Sequence, residues 1–303
     1  MKLGEIYRKV PQRAFGILSL VESLLPKYEY VPQELISSRI RLNPSELERL
    51  LELLVSLSLL QRRIGKGVGY RLTYLGLNIL SLRGLVNRGI IGAIGDKIGV
   101  GKESEIYEAL SPAQTRLSIK FHMVGKDSFK QFVRVRGFAA GTGFSNWLLK
   151  SKLNAMREYR AITRLSQYTD GVLRPFGFNK NAVVTEFVEG IELYKAPSLS
   201  DPRRAFEEII RIIELSYSCA GIVHGDLSEY NVLVRMPDEK PIIIDWPQYI
   251  EKNHHSASEL LRRDVCYISR YFKKKFGLTE DCSMLYERIL NASSENICRE
   301  ISH

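Results

Sequence analysis

Three side chains in the last third of the chain have the types and spacing to do chemistry together. Asp226 and Asn231 stand five apart in Ile222-Val-His-Gly-Asp-Leu-Ser-Glu-Tyr-Asn231, and Asp245 follows the apolar run Ile242-Ile-Ile244. The isoleucines read as a buried strand that delivers Asp245 to its end, and the segment around Asp226 reads as a tight loop. Asn231 and Asp245 are oxygen donors of the kind that hold Mg²⁺, and the carboxylate of Asp226 can take a proton from a nucleophile. Transfer of a densely charged phosphoryl group needs this combination.

The spacing Asp-x-x-x-x-Asn followed by a strand-end Asp is that of a kinase catalytic loop. Here His224-Gly225-Asp226 stands for the usual His-Arg-Asp, and Asp245-Trp246-Pro247 for Asp-Phe-Gly. Such a loop requires a nucleotide-binding half. In Lys97-Ile-Gly-Val-Gly-Lys-Glu-Ser-Glu-Ile-Tyr107, Gly99 and Gly101 let backbone amides approach phosphates, although a Gly-x-Gly turn by itself also fits an ordinary hairpin. The usual third glycine is missing, so Lys102 and Ser104 are expected to supply contacts themselves. One hairpin later, Lys120 interrupts the apolar strand Leu117-Ser-Ile-Lys-Phe121, where a kinase places the lysine that neutralises the α and β phosphates. Its expected carboxylate partner is Glu158, the sole acid of the helical stretch 147–165. The apolar stretch Ala182–Glu189 reads as a buried strand entering a hinge, where backbone near Glu186 and Val188 can meet adenine; a plain β-strand would look the same. Residues 122–146 form a glycine-rich basic loop without periodicity, expected to order when nucleotide or partner binds. Ser128, near its start, is an expected acceptor of phosphate.

The elements upstream set a different task. Apolar spacing predicts a helix over 5–25, a shorter one over 31–40, and a third opened by Asn43-Pro-Ser-Glu46 with a buried stripe of Leu47, Leu50, Leu51, Leu54 and Val55. Leu60–Ile64, a glycine-rich turn and Tyr70–Thr73 then read as two strands around a basic wing, and a helix follows over 74–88. Three helices and a β-hairpin make a winged helix. Glu46, Glu48 and Glu52 on the third helix repel phosphates, so nucleic-acid contact is expected from Arg39, Arg41, Arg62, Arg63, Lys66 and Arg71 around the helix and wing.

Charge agrees with an anionic partner. The net charge is +10, and residues 1–95 hold 14 Lys+Arg against 7 Glu and no Asp. The first ten residues carry four charged side chains and no apolar core, which argues against a signal peptide, and no apolar run reaches the ~18 residues of a membrane span. A cytoplasmic protein without membrane contact is expected. Cys219, Cys266, Cys282 and Cys298 lie far apart with no metal-binding spacing, so free buried thiols are the expectation.

Taken together, these motifs make the chain resemble the RIO family of atypical protein kinases, over nearly its whole length and most closely the second subfamily in its short archaeal form. The resemblance rests on the winged helix, Gly99-x-Gly-Lys-Glu-Ser104, Lys120, the basic loop, His224-Gly-Asp-Leu-Ser-Glu-Tyr-Asn231 and Ile244-Asp-Trp-Pro-Gln248. It implies an α+β chain with a winged helix at 1–90, a kinase N-lobe at 91–188 and a C-lobe at 189–303. It further implies ATP with Mg²⁺ or Mn²⁺, autophosphorylation on serine, and action on the small ribosomal subunit precursor and its rRNA, in a protein expected to be monomeric. By resemblance Asp226 is the catalytic aspartate, Asn231 and Asp245 the metal ligands, Asp245 also a possible phosphate acceptor, and Ser104, Lys120 and Glu158 the phosphate-binding group. Trp246 departs from the expected Phe but keeps an aromatic beside Asp245. Only residues 247–257 separate Trp246 from the next helix, with no Ala-Pro-Glu, too little for a substrate-docking loop. That favours an ATPase switch over a signalling kinase. Two other readings stay open: a small-molecule phosphotransferase of the aminoglycoside or choline kinase type, and a winged-helix regulator with an inactive kinase domain.

Overall fold

A computed structural model of the chain describes residues 2–65, 67–124, 146–291 and 298. It divides into two compact units, Met1–Met156 with Gly177–Val184, and Arg157–Phe176 with Thr185–His303.

The first unit begins with two helices, α1 (Leu3–Lys9) and α2 (Gln12–Leu24), where the sequence pattern suggested one over 5–25. Pro11 is the cause: it lacks an N–H and its ring obstructs the preceding turn, so one helix stops and the next starts from its extended backbone. After strand β1 (Val31–Pro32) come α3 (Gln33–Arg39) and α4 (Pro44–Ser56). Asn43 Oδ1 accepts the Glu46 N–H at 2.8 Å, and Leu47, Leu50, Leu51 and Leu54 are buried, each worth about 1.5–3 kcal/mol by area. Strands β2 (Leu60–Ile64) and β3 (Val68–Leu72) pair in antiparallel register from Leu60 with Leu72 to Ile64 with Val68, and β3 also takes β1. Helix α5 (Tyr74–Asn87) starts at Thr73, whose hydroxyl accepts the Gly76 N–H at 3.0 Å. A side chain at Gly76 would place its Cβ 2.3 Å from the Leu59 carbonyl oxygen, so the hairpin and helix close only over glycine.

This winged helix is packed into the same unit as a five-stranded sheet, order β4-β5-β6-β8-β7, formed by β4 (Ala93–Val100), β5 (Ser104–Leu110), β6 (Arg116–His122), β7 (Pro175–Asn179) and β8 (Ala182–Glu186). Helix α6 (Asn146–Leu165) follows the stretch after β6. The winged helix is fastened by buried polar groups. Glu22 of α2, 8 % exposed, pairs with Lys152 at 2.5 Å and Lys180 at 2.6 Å. Asn181 donates to Asn78 Oδ1 at 2.8 Å and to the His122 carbonyl at 2.9 Å, and accepts from the Ser81 hydroxyl. The Tyr74 ring lies 4.2 Å from that of Trp147, and burial pushes the Tyr74 phenol up to about 12. The buried members, Glu22, Asn78, Ser81 and Asn181, hold a fixed geometry, because separating them from their partners would leave buried polar groups unsatisfied.

The second unit contains the three-stranded sheet β12-β11-β9, from β9 (Gly190–Glu192), β11 (Val232–Arg235) and β12 (Pro241–Ile243). A short pair joins β10 (Ile222–Val223) to β13 (Ile250–Glu251). Helix α7 (Pro202–Ser218) is capped by Asp201, whose carboxylate accepts the Arg204 N–H at 2.9 Å. Helix α8 (Ala257–Phe276) buries Leu261, Val265, Ile268 and Phe272, and ends at Gly277 with φ +74°. Helix α9 (Cys282–Asn291) packs against it.

The expectation of free thiols is overturned. Cys219 is bonded to Cys298 and Cys266 to Cys282, with Cα atoms 5.7 and 4.9 Å apart. The separations, 79 and 16 residues, carry no local motif; for Cys266 and Cys282 it is the packing of α8 on α9 that brings the sulfurs together. Closing a loop of 16 residues removes unfolded-state entropy worth about 3 kcal/mol. Reduction with dithiothreitol is therefore expected to lower the denaturant midpoint clearly, and a Cys266→Ser/Cys282→Ser protein to reproduce most of that loss. Equal midpoints with and without reductant would show that these bonds do not form in solution.

Candidate active site

The loop around Asp226 is built by its backbone. Gly225 has φ +76°, a conformation free of strain only for glycine, and this turns the chain sharply after His224. His224, 3 % exposed, faces the Ile244 carbonyl with Nε2 at 3.1 Å, and its Nδ1 accepts the Asp226 N–H at 3.3 Å. The tautomer with its proton on Nε2 serves both contacts. Asn231 sits in a short 3₁₀ turn, Glu229–Asn231, and its Nδ2 donates to the Asp226 carbonyl at 2.7 Å. That bond ties the two ends of the loop and leaves Oδ1 as the amide's acceptor.

Asp245 stands two residues past the strand end. The expected three-residue isoleucine strand stops at Ile243; Ile244 is half-buried and its N–H donates to the Asn231 carbonyl at 2.9 Å. Asp245 itself has φ +67°. Left-handed backbone is uncommon outside glycine, and here it falls on an acidic residue between half-buried Ile244 and buried Trp246. Trp246, 1 % exposed, donates Nε1–H to the Ile243 carbonyl at 2.9 Å and lies 4.6 Å from the His224 ring. The aromatic thus braces loop and strand end together. Arg157 holds the following segment: its Nε donates to the Pro247 carbonyl at 2.8 Å and its guanidinium covers the Tyr249 ring at 4.5 Å.

Sequence reasoning missed Asp264. This residue of α8 is 1 % exposed, and its carboxylate accepts the Gly225 N–H at 2.7 Å and the Leu227 N–H at 3.2 Å, the amides on either side of Asp226. Burial raises its pKa, opposed by His224, these N–H groups and Arg263. Arg263 also donates to the Gly225 carbonyl. A signal existed: Asp264 interrupts the apolar stripe of α8 between Leu261 and Ile268, and a carboxylate on a buried stripe needs donors.

Of the residues expected to bind nucleotide, Gly99, Gly101, Lys102, Ser104 and Lys120 lie in the first unit, and Glu158, Glu186 and Val188 in the second. Gly99 pairs with Ile106, and Ile106 with Lys120, so the three share one row on one face of the sheet. Ser104, opposite His122, belongs to that face as well. The turn is tight: the Gly101 N–H donates to the Ser104 carbonyl at 2.8 Å, and a Cβ at Gly101 would stand 3.1 Å from the Ser104 hydroxyl. Lys102 is exposed at its tip. Of the remaining expected residues, Glu158 is 6 % exposed on α6 in the second unit. Glu186 ends β8 with its N–H committed to the Arg174 carbonyl at 2.9 Å, and Val188 is half-buried in the loop leading to β9. Ser128 and Lys66 lie outside the described residues.

On the winged helix, Arg39, Arg41, Arg62 and Arg63 are exposed. Arg71 is half-buried and packs over the Tyr30 ring at 4.9 Å, which Arg63 also covers at 5.4 Å. Glu46 was expected to repel phosphate, but Arg13 pairs with both its oxygens at 2.8 and 2.9 Å. Exposed Glu48 and Glu52 still flank Arg49 on that helix.

Among the described residues no group of three or more His, Cys, Asp and Glu could hold a metal ion alone, and no helix is long and apolar enough to cross a membrane. Asn231 and Asp245 do fit Mg²⁺: they are hard oxygen donors, few in number, as for an ion that keeps phosphate and water in its shell.

Comparison with known proteins places these features in context. The family model for the RIO domain matches residues 105–285, and that for the Rio2 N-terminal domain matches residues 7–88. The serine/threonine-protein kinase rio2 of Dictyostelium discoideum is 29 % identical over 309 residues, covering 99 % of this chain and 59 % of its own length. The RIO-type serine/threonine-protein kinase Rio2 of Methanocaldococcus jannaschii is 36 % identical over 213 residues, covering 68 % of this chain and 77 % of its own. The chain thus spans about three fifths of the Dictyostelium relative. Among solved structures, the Rio2 kinase-ADP/Mg²⁺-phosphoaspartate complex from Chaetomium thermophilum superposes with a TM-score of 0.79 at 26 % identity, over 98 % of this chain and 92 % of that one. The architecture is therefore the expected α+β one, a winged helix followed by a bilobal kinase-like domain.

Proposed function

Because the chain belongs to the RIO family of protein kinases, with a Rio2-type N-terminal domain, we propose that it is an ATP-dependent serine-type kinase and ATPase that serves as a switch in small ribosomal subunit maturation. The observation that carries this reading is the loop fixed by His224, Asn231 and Asp264 around Asp226, with Asp245 in left-handed backbone beside it.

Asn231 and Asp245 would hold Mg²⁺, which when bound neutralises charge on the phosphates. Gly99, Gly101, Lys102, Ser104 and Lys120 bind the triphosphate, its charge falling on Lys120 and its oxygens on turn amides. In the proposed cycle an Asp245 oxygen attacks the γ-phosphorus, the bond to the β–γ bridging oxygen breaks, and ADP leaves. Water then attacks the aspartyl phosphate, Asp226 takes its proton, and inorganic phosphate is released. The phosphoaspartate in the Chaetomium Rio2 complex supports an acyl-phosphate stage. Transfer to serine is the same chemistry with a hydroxyl as acceptor. The short segment 247–257 supports a switch, since it leaves little surface for a peptide substrate. Exposed arginines of the winged helix support contact with rRNA, in a monomeric cytoplasmic protein.

The test is a time course with γ-labelled ATP and Mg²⁺, following released phosphate and protein-bound label, with and without purified small ribosomal subunits. Hydroxylamine separates acyl phosphate from phosphoserine. Phosphate release stimulated by subunits, with hydroxylamine-labile label that vanishes in Asp245→Ala, is the expected result. Strong transfer to an added protein or small molecule, indifferent to subunits, would overturn the switch.

A further inference from the structure

The second unit carries a cleft of about 580 Å³ between α8 and α9, lined by His255, Ser258, Glu259, Arg262, Arg263 and Tyr286. No residue of it has a part in the phosphoryl-transfer chemistry except Arg263, which braces the Gly225 carbonyl. We propose that this cleft binds a nucleotide of single-stranded RNA, with the strand continuing along the exposed face of α8. The proposal rests on the reading that the protein acts on rRNA, and adds a second RNA site far in sequence from the winged helix.

The chemistry of the walls selects the ligand. The exposed side chains of α8 include Arg262, Arg263, Arg270, Lys273 and Lys274, against one exposed carboxylate on the helix, Glu259, and that of Glu229, which faces Tyr267 from outside it. The cleft also includes the first turn of this 20-residue helix, whose dipole adds positive potential. An anion is therefore the favoured occupant. Its volume lies within the ~300–1,000 Å³ of small-ligand sites, more than one phosphate needs. Aromatic rings supply the rest: Tyr286 forms one wall with its hydroxyl against that of Ser258, and His255 another, with the His254 ring 4.1 Å away. Cations beside stacking surfaces are the recurring composition of single-strand sites, where bases lie on rings and phosphates on arginines.

The face beyond the cleft argues for a polymer. Arg263, Tyr267, Arg270 and Lys274 follow at steps of four, three and four residues, all exposed on one side of α8. They span about 16 Å at 1.5 Å per residue. Arg270 lies 5.9 Å over the Tyr267 ring, so cation and aromatic alternate there as well. A phosphorylated side chain offers one dianion and would use only the cleft. A single strand offers a phosphate per nucleotide and uses the whole row. The Cys266–Cys282 bond, at the cleft's edge, ties α9 to α8 and so keeps Tyr286 opposite the arginines.

The experiment measures anisotropy of a fluorescein-labelled ten-nucleotide single-stranded oligouridylate with the full chain, across a range of salt. Arg262→Glu and Tyr286→Leu are expected to weaken binding about tenfold each, and Arg262→Glu to flatten the salt dependence by about 0.7 in log–log slope. Both variants should hydrolyse ATP at the parent rate. An Arg62→Ala/Arg63→Ala/Lys66→Ala protein should lose affinity independently of either. If both cleft variants bind the oligonucleotide like the parent while the wing variant does not, the cleft proposal falls and the rRNA reading stands. If the parent binds no RNA at all, both fall. Loss of phosphoserine-peptide binding with RNA binding intact would make the cleft a phosphopeptide site and overturn the proposal.

Discussion

The Asp226→Asn protein hydrolyses ATP about 10²–10⁴-fold more slowly than the parent, the usual loss on removing a positioned proton acceptor, yet unfolds at the same denaturant concentration. The two halves of this result follow from where the contacts run. Asp226 is fixed in the loop by its backbone: its N–H meets His224 Nδ1 and its carbonyl accepts from Asn231. An amide side chain leaves both backbone contacts in place and removes the carboxylate's basicity. Single-turnover phosphate release measures the first half and a urea titration the second. Activity within a few-fold of the parent would mean that the nucleophile's proton goes elsewhere, and the assignment of Asp226 would fail.

Asp264→Ala produces the complementary outcome, losing both stability and rate. The Gly225 and Leu227 N–H groups lose their acceptor in a buried setting, at about 1–3 kcal/mol each. Once those amides are free, Asp226 between them is no longer held, and misplacement of a catalytic group by about 1 Å costs roughly 10²-fold in rate. Asp264→Asn keeps only one accepting oxygen and should recover part of each loss. The pH profile gives a further readout. Because burial raises the Asp264 pKa above the ordinary 3.8, the native state holds this proton where the unfolded chain has released it. The extra stability is present in acid and is lost as pH rises from about 3.8 through the raised value, and the asparagine variant should lack that slope. A variant that is slow but fully stable would contradict the positioning role.

These two aspartates show what a linear reading reaches. Asp226 and Asn231 are joined by one turn, and Asp245 needs only a buried strand before it; local spacing determines all three. The winged helix was readable for the same reason, since Asn43, Pro44 and the leucine stripe of α4 act within a few residues. Even there, Pro11 divides a helix that hydrophobic spacing alone joined, because the spacing reports which residues are buried and not whether the backbone is continuous.

Contacts between distant segments were not readable. Glu46 is exposed acid in the sequence and an ion pair in the fold, because Arg13 reaches it from another helix. The expected free thiols are two disulfides in the fold, between cysteines 79 and 16 residues apart, separations at which no local motif applies. The sequence marked Lys120 as an unusual strand residue, but strand register put it in one row with Gly99. What the sequence marks by itself is the catalytic-loop pattern, since such a loop is a short-range arrangement of side chains and turns. What only the tertiary structure decided was the support of that loop by Asp264, Arg263 and Trp246, because buried donors and acceptors find partners across the chain, where no spacing rule applies.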